Sequence, residues 1–451
     1  MERFDLVVLG TGAGGTSPAL KCRAAGWRVV IVDDQPYGGT CAVRGCDPKK
    51  VLVGAAELVS WDRRMQGYGV RGNAEVDWPA LMRFKRTFTD PVPTIQESAF
   101  AKAGIEMLHG EAHFVAEDRL VLESQEIGAK HVVIATGSGP RVLNIPGENR
   151  LITSTQFLEL ERLPPRILFV GVGYVSLEFA HVARGAGSEV TMIGRGSPLP
   201  SFDRTLVERL LAHTRDLGIQ VRLDADVTQI EDADRSDGFR VHASDRNGDS
   251  IFEADLVVHG AGRVPNTGRL GTEAGNVRLV ANGSIEVNEF LQSVTNPRVY
   301  AAGDVVLPKG SVPLTPVAAH EGAIVASNLL EGNNKRPDYR GIPSVVFTDP
   351  PLATVGMTES AARESGANVK VKTVDTTGWY SNRRVRQPVG LLKTVIDADT
   401  DKVLGAHLLG VHADEVINLF ALAVRFGISA GELRHMIYAY PTSGSDVPYM
   451  L

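Results

Sequence analysis

The sequence predicts an α/β chain: two βαβ units built on glycine turns, followed by an α+β domain. Three observations carry this. An apolar strand over residues 4–9 runs into Gly10-Thr11-Gly12-Ala13-Gly14-Gly15 and then into a helix through Ala25. The pattern returns at residues 166–170, which run into Gly171-Val172-Gly173-Tyr174-Val175-Ser176 and a helix through Ala186. Beyond about residue 334 the texture changes. Val345-Val346-Phe347, residues 390–396 and residues 403–409 read as antiparallel strands, and residues 413–426 read as a helix. Strand, glycine turn, helix and a following apolar strand (29–33, then 189–194) make a parallel βαβ unit, so the first two parts are Rossmann-like dinucleotide-binding domains.

The 451 residues exceed what one core can bury, and two to four domains are expected. With 43% hydrophobic and 22% charged residues the composition is that of a globular protein, and a net charge of −6 argues against a nucleic-acid partner. No apolar run is long enough for a bilayer span, and the chain enters its first strand without a basic, cleavable leader. A cytoplasmic protein without membrane contact is expected. Three cysteines make no disulfide scaffold. In a reducing compartment the close pair Cys41 and Cys46 is catalytic or metal-binding rather than structural. The segments Asn144-Ile145-Pro146-Gly147 and Gly262-Arg263-Val264-Pro265-Asn266 mark the joints around the second unit.

In the first turn, Gly10 permits the tight bend, Gly12 lets a pyrophosphate approach the backbone, and Gly15 lets the helix pack on the strand. The helix N-terminus favours the phosphate charge, and Asp33 at the end of the next strand can accept from a ribose hydroxyl. In the second turn Gly171 and Gly173 repeat the pattern, and Ser176 replaces the last glycine. The following strand ends Met192-Ile193-Gly194-Arg195. Gly194 removes the carboxylate that would repel a 2′-phosphate, and Arg195 supplies a cation to bind it, which favours NADPH over NADH.

Residues 38–50, Gly-Gly-Thr-Cys-Ala-Val-Arg-Gly-Cys-Asp-Pro-Lys-Lys, are the most informative stretch. Cys41 and Cys46 are close enough in sequence for a local disulfide. A helix N-terminus near Cys41 and the charge of Lys49 are expected to lower a thiol pKa. A zinc site needs two more ligands, and the remaining cysteine is the distant Cys22, so no metal site is expected.

This block resembles the class I pyridine nucleotide-disulfide oxidoreductases, the family of glutathione reductase, dihydrolipoamide dehydrogenase and mercuric reductase, and the resemblance runs nearly end to end. It implies a homodimeric flavoprotein in which electrons pass from NADPH through FAD to a Cys41–Cys46 disulfide and on to a small disulfide acceptor. Cys41 would be the interchange thiol, Cys46 the thiol against the flavin, and Lys49 a flavin neighbour paired with Glu178. Thr40, Thr136 and Gly137 of Ala135-Thr136-Gly137, Gly262, Asp304 of Ala301-Ala302-Gly303-Asp304, and Ala318 would complete the FAD site. Tyr174 resembles the family's aromatic gate over the flavin. The implied domains are 1–143 with 263–335 for FAD, 144–262 for NAD(P)H and 336–451 for dimerisation.

The chain departs from the family at four places. The C-terminal catalytic His is replaced by Tyr440 in Tyr440-Pro441-Thr442, with Ser445 or Asp446 where a Glu would orient it. A phenol, with a pKa near ~10, is a poor base but can still donate a hydrogen bond to a developing thiolate. Tyr440 is therefore either an acid across the dimer interface or a space-filler. The glutathione-holding Ser and Arg of the first helix are Ala13 and Leu20 here, and residues 447–451 hold no cysteine pair. Arg44, between the cysteines, either attracts an anionic oxidant or faces outward. The cluster of Trp379, Tyr380, Arg383, Arg384 and Arg386 reads as dimer surface. These departures keep two other functions open: reduction of a non-disulfide oxidant such as a metal ion, a quinone or a hypothiocyanite-like species, and a flavin redox sensor.

Overall fold

The computed structural model describes residues 2–233 and 238–451. The chain forms two units. The first comprises Met1–Pro48, Phe84–Arg141 and Gly262–Tyr339, and the second Lys49–Arg83, Val142–Ala261 and Arg340–Leu451.

In the first unit, β1 (Glu2–Leu9) lies at the centre of a seven-stranded sheet. Leu6, Val7, Val8 and Leu9 are all buried, as befits a strand covered on both faces. The helix α1 (Ala13–Ala24) follows, with Ala25 as its C-cap, and leads to β2 (Val29–Asp33). β2 and Gln125–Ile134 flank β1 in parallel, and Val299–Ala301 lies parallel beyond the latter. Register places Leu9 beside Ile134, which brings Gly10 against the next residue. A Cβ on Gly10 would meet the Ala135 carbonyl oxygen at 2.3 Å. α1 packs on the Thr315–Glu331 helix through glycine: a Cβ on Gly322 would stand 2.5 Å from the Gly14 carbonyl oxygen. After β2 come α2 (Gly39–Arg44) and α3 (Cys46–Met65).

In the second unit, Gln220–Leu223, Glu189–Gly194, Arg166–Val170 and Leu256–His259 form a four-stranded parallel sheet. An antiparallel sheet of Asp226–Asp232, Phe239–Asp245 and Gly248–Ala254 follows. Five antiparallel strands, in the order Ser344–Val346, Leu352–Gly356, Val403–Leu409, Leu391–Asp397 and Val369–Asp375, carry the Ala413–Phe426 helix. The nicotinamide and dimerisation parts anticipated at 144–262 and 336–451 thus lie in one unit, and they share a core in which Phe157, Phe169 and Phe179 pack with Val346, Leu352 and Leu409. Buried charge joins them as well. Lys393 Nζ lies 3.0 Å from Asp203 Oδ2, and both side chains are nearly inaccessible. Among the described residues no helix is long and apolar enough to cross a membrane.

Asp349 is the hub of a second polar cluster. Its carboxylate accepts from Ser60, from Arg64 at 2.8 Å and from Gln387 at 3.2 Å. Its peptide N–H donates to His181 Nδ1 at 3.2 Å, and His213 Nε2 lies 3.1 Å from its carbonyl oxygen. The other nitrogen of His181 meets Thr214 Oγ1 at 3.0 Å. Burial lowers the His181 pKa to about 4, Asp349 opposing the shift and His213 adding to it. The unfolded ring titrates near ~6.5, so between pH ~6.5 and ~4 the unfolded chain binds more protons than the folded one. The stability this group contributes is complete above that window and is lost as pH falls through it, about 3 kcal/mol in all. Substituting His181→Gln should therefore flatten the acid side of the stability profile. Urea midpoints measured from pH 7 to pH 4.5 should fall less steeply in the variant, and parallel slopes would refute the assignment.

Candidate active site

The first glycine turn and its surroundings are assembled from glycines in close backbone contact. Gly39 has φ +72, and a Cβ there would meet Gly12 Cα at 2.5 Å. Gly12 caps α1 without any side-chain cap, which leaves the helix N-terminus open to an anion. Asp33 accepts from Thr11 N at 2.8 Å and Thr11 Oγ1 at 2.6 Å through Oδ2, and from Gln35 N at 2.9 Å through Oδ1. One acceptor position on Oδ1 remains for a ribose hydroxyl. These features fit a dinucleotide at this turn.

The remaining FAD candidates meet through residues read in the sequence only as a joint, or not singled out at all. Asp304 accepts from Ser138 Oγ at 2.9 Å, and Arg263 Nε donates to the same hydroxyl at 3.0 Å and also bonds the Ser138 carbonyl oxygen. Thr136 Oγ1 donates to the Asn266 carbonyl oxygen at 3.0 Å, and Asn266 Nδ2 returns a bond to the Thr136 carbonyl oxygen at 2.9 Å. Gly137 and Gly262 both have positive φ at these crossings. The joint segment 262–266 is thus part of the site wall, a role that its Gly-Arg-x-Pro-Asn pattern alone did not disclose. Ala318 stands against Gly303, where a Cβ would approach to 3.2 Å. Buried Glu321 accepts from Gly303 N at 2.7 Å, Ser311 at 3.0 Å and Tyr339 at 2.7 Å. Its neighbour His320 accepts from Asp338 N at 3.2 Å and serves packing.

Cys41 lies inside the short α2, with Thr40 exposed before it, and Cys46 opens the longer α3. Both are free thiols, and they are hydrogen-bonded to each other. Thr315 Oγ1 is 3.7 Å from Cys46 Sγ and also bonds Cys41. The expectation that a helix N-terminus lowers the Cys41 pKa is corrected here. The hydrogen bond to Cys46 and burial together hold the Cys41 thiol well above its usual range. α2 is only six residues long, and it is Cys46 that heads the long helix. Arg44 ends α2 and reaches the Pro36 carbonyl oxygen at 3.4 Å, with Asp33 and Asp34 supplying nearby negative charge.

In the second unit, Lys49 Nζ and Glu178 Oε2 meet at 2.7 Å, with side-chain exposures of 13% and 6%. The other Glu178 oxygen accepts from Phe347 N at 2.9 Å. Tyr174 packs edge-on to Phe202 at 5.6 Å, and its hydroxyl bonds Ser344. Gly171 closes on Gly260, where a Cβ would meet the carbonyl oxygen at 2.2 Å. At Gly173 a Cβ would meet nothing within 4 Å, and the Tyr174–Gly185 helix that begins there has no side-chain cap. That open turn fits a second dinucleotide. Gly194 does more than omit a carboxylate: a Cβ there would press on Val172 N at 3.1 Å. Arg195 is exposed and pairs with Asp226 at 3.5 Å.

Tyr440 is 85% exposed. Neither Ser445 nor Asp446, the residues read as standing where a Glu would be, turns toward it. Ser445 closes a capping box with Thr442, and Asp446 accepts from Ser381 at 2.6 Å. In the aromatic-basic cluster, Arg386 lies 3.7 Å over the Tyr68 ring. Among the described residues no group of three or more His, Cys, Asp or Glu converges to hold a metal ion.

Known proteins resemble this chain in sequence and in fold. Residues 4–322 match the model of the pyridine nucleotide-disulphide oxidoreductase family, and residues 342–450 match its dimerisation domain. The chain is 32% identical to a glutathione reductase of Burkholderia cepacia, over 98% of this chain and 97% of that one. It is equally identical to a mercuric reductase of Lysinibacillus sphaericus, over 98% of this chain and 81% of that one. The Cu(II) complex of the HOCl-induced flavoprotein disulfide reductase RclA from Escherichia coli superposes with a TM-score of 0.88 at 28% identity, covering 100% of this chain and 99% of that one. With two glycine turns open to dinucleotides, a hydrogen-bonded cysteine pair and a C-terminal dimerisation domain, the chain belongs to the pyridine nucleotide-disulphide oxidoreductase family, whose members use FAD and NAD(P)H.

Proposed function

We propose that this protein is a homodimeric, NADPH-dependent reductase that delivers electrons through Cys41 and Cys46 to a small disulfide. Segments 1–143 and 263–335 bind FAD, 144–262 bind NADPH, and 336–451 form the dimer. The observation that carries the reading is the direct hydrogen bond between the two thiols. Bound FAD supplies the two-electron relay between the nicotinamide and the Cys41–Cys46 disulfide.

The chain's own residues do the rest. Gly10, Gly12, Gly15 and Asp33 seat the adenosine end of FAD, joined by Thr40, Thr136, Gly137, Gly262, Asp304 and Ala318. Gly171, Gly173 and Arg195 seat NADPH, and Tyr174 covers the nicotinamide approach. Lys49, fixed by Glu178, presents a cation to the flavin. Once the pair is reduced, Cys41 loses its proton and attacks one acceptor sulfur. The acceptor S–S bond breaks, and the departing thiolate takes up a proton. Cys46 then attacks Cys41, which restores the internal disulfide and releases the second thiol. Because its bond to Cys46 holds the Cys41 proton tightly, the attack needs a route for that proton. Tyr440 donates to the departing sulfur from the partner subunit, without an orienting carboxylate.

A second reading is reduction of a thiophilic metal ion. It is favoured by the exposed Tyr440 in place of a His, because a metal acceptor has no leaving thiolate to protonate. The mercuric reductase relative and the Cu(II)-bound neighbour point the same way.

Steady-state NADPH oxidation against small disulfides, Hg(II) and Cu(II) separates the two. Cys41→Ser should abolish turnover with disulfides, and retained turnover would sink the thiol route. Tyr440→Phe should lower kcat for disulfides by about a hundredfold, the low end for a positioned proton donor, and leave metal turnover unchanged. Disulfide turnover equal to the unaltered enzyme would make Tyr440 a space-filler. Arg195→Ala should raise KM for NADPH by about tenfold, the loss of one charged hydrogen bond, and leave KM for NADH alone. A parallel change for both nucleotides would remove the basis for NADPH preference.

A further inference from the structure

Three residues of the reading above, Lys49, Glu178 and Tyr174, are held by one short segment, the strand Ser344–Val346 and the residue that follows it. Nothing in the sequence marked Val345-Val346-Phe347 as more than a strand of the C-terminal sheet. Its first residue bonds the Tyr174 hydroxyl. Its last contact, Phe347, touches both partners of the buried ion pair. The Phe347 peptide N–H donates to Glu178 Oε1 at 2.9 Å, which leaves Oε2 to take Lys49 at 2.7 Å. The Phe347 ring lies under two ammonium groups, with Lys49 Nζ 4.7 Å and Lys50 Nζ 4.0 Å from its centroid. Lys50 is also held by Asp414 at 3.3 Å.

Lys49 and Lys50 are sequence neighbours of like charge, and each requires a separate counterion. The negative face of one aromatic ring accommodates both ammonium groups, while Glu178 and Asp414 draw them apart. Phe347 also borders a cavity of about 350 Å³ with Glu57, His181 and Asp349 among its lining residues. A smaller side chain at 347 would merge with that space and leave both lysines room to wander.

We propose that Ser344 and Phe347 are positioning residues for the nicotinamide half-reaction: Ser344 sets the Tyr174 phenol, and Phe347 aligns Lys49 and Glu178. This rests on the reading of Lys49, Glu178 and Tyr174 given above. An aliphatic residue at 347 keeps the peptide N–H but removes the ring, so Glu178 stays bonded while Lys49 loses its platform. The expected defect is therefore in the rate of electron entry, not in nucleotide affinity.

The test is anaerobic mixing of the FAD-loaded enzyme with NADPH, followed by flavin absorbance. Phe347→Leu should slow reduction at saturating NADPH by about tenfold, with half-saturation changed less than about twofold. Phe347→Tyr, which retains the ring, should restore the rate. Ser344→Ala should slow the same phase by about threefold. Lys49→Met is the reference. If it is slow while Phe347→Leu and Ser344→Ala both match the unaltered enzyme, the inference is overturned and the reading of the ion pair stands. If Lys49→Met reduces normally, the reading of the ion pair itself fails. Should Phe347→Leu not retain FAD, Ser344→Ala, which removes one hydroxyl, decides alone: a rate equal to the unaltered enzyme overturns the proposal.

Discussion

The constraint on which the rest of this protein depends is backbone approaching backbone at the glycine turns. A Cβ on Gly15 would stand 2.0 Å from the Gly10 carbonyl oxygen, and the corresponding distances at Gly39 and Gly322 are 2.5 Å to atoms of Gly12 and Gly14. No rotamer relieves such contacts, because the obstructing atoms are backbone. The first unit is therefore stacked as strand on turn on helix on helix, with backbone in direct contact at these glycines. That stacking leaves the N-terminus of α1 uncovered and brings the segments around Ala135 and Ala302 to the same edge of the sheet. The second unit repeats the arrangement where Gly171 meets Gly260.

Charge is placed against this backbone in a few buried pairs, and each does a different job. Lys393 and Asp203 are almost wholly removed from water, and Glu359 lies 3.3 Å from the same ammonium. Desolvating such a pair offsets much of its attraction, so its main effect is on geometry, joining the parallel sheet to the antiparallel one. Lys49 and Glu178 are nearly as buried, but the Phe347 peptide and ring complete their coordination, so the lysine keeps one orientation. In the cysteine pair the shared hydrogen bond and burial hold the Cys41 thiol above its usual range.

Much of this was legible in the sequence because it rests on local rules. Glycine at 10, 12 and 15 between an apolar strand and a helix is what a dinucleotide turn needs and little else does, and the cysteine block with its trailing lysine is specific. Two kinds of feature were not legible. The direction of the Cys41 shift depends on whether its nearest polar neighbour is a helix N-terminus or another thiol, and spacing cannot decide between them. The supports of the site (Ser138, Arg263, Asn266, Glu321, Ser344 and Phe347) lie far along the chain from the groups they hold. Each is an ordinary residue type whose partner is chosen by the fold: Glu178 and Phe347 are 169 residues apart, and Ser138 and Asp304 are 166 apart.

By itself the sequence determined the two glycine turns, the closely spaced cysteines and the Lys49–Glu178 partnership, because these are carried by residue type at fixed local spacing or by motif. Tertiary structure alone decided that the Cys41 thiol bonds Cys46, that Asp446 turns to Ser381 rather than to Tyr440, and that Phe347, next to a strand of the C-terminal sheet, bonds Glu178. The reason is physical. Hydrogen bonds and ion pairs form between whichever groups packing brings within about 3 Å, and burial sets what each is worth, while the chain encodes those meetings only through the fold as a whole.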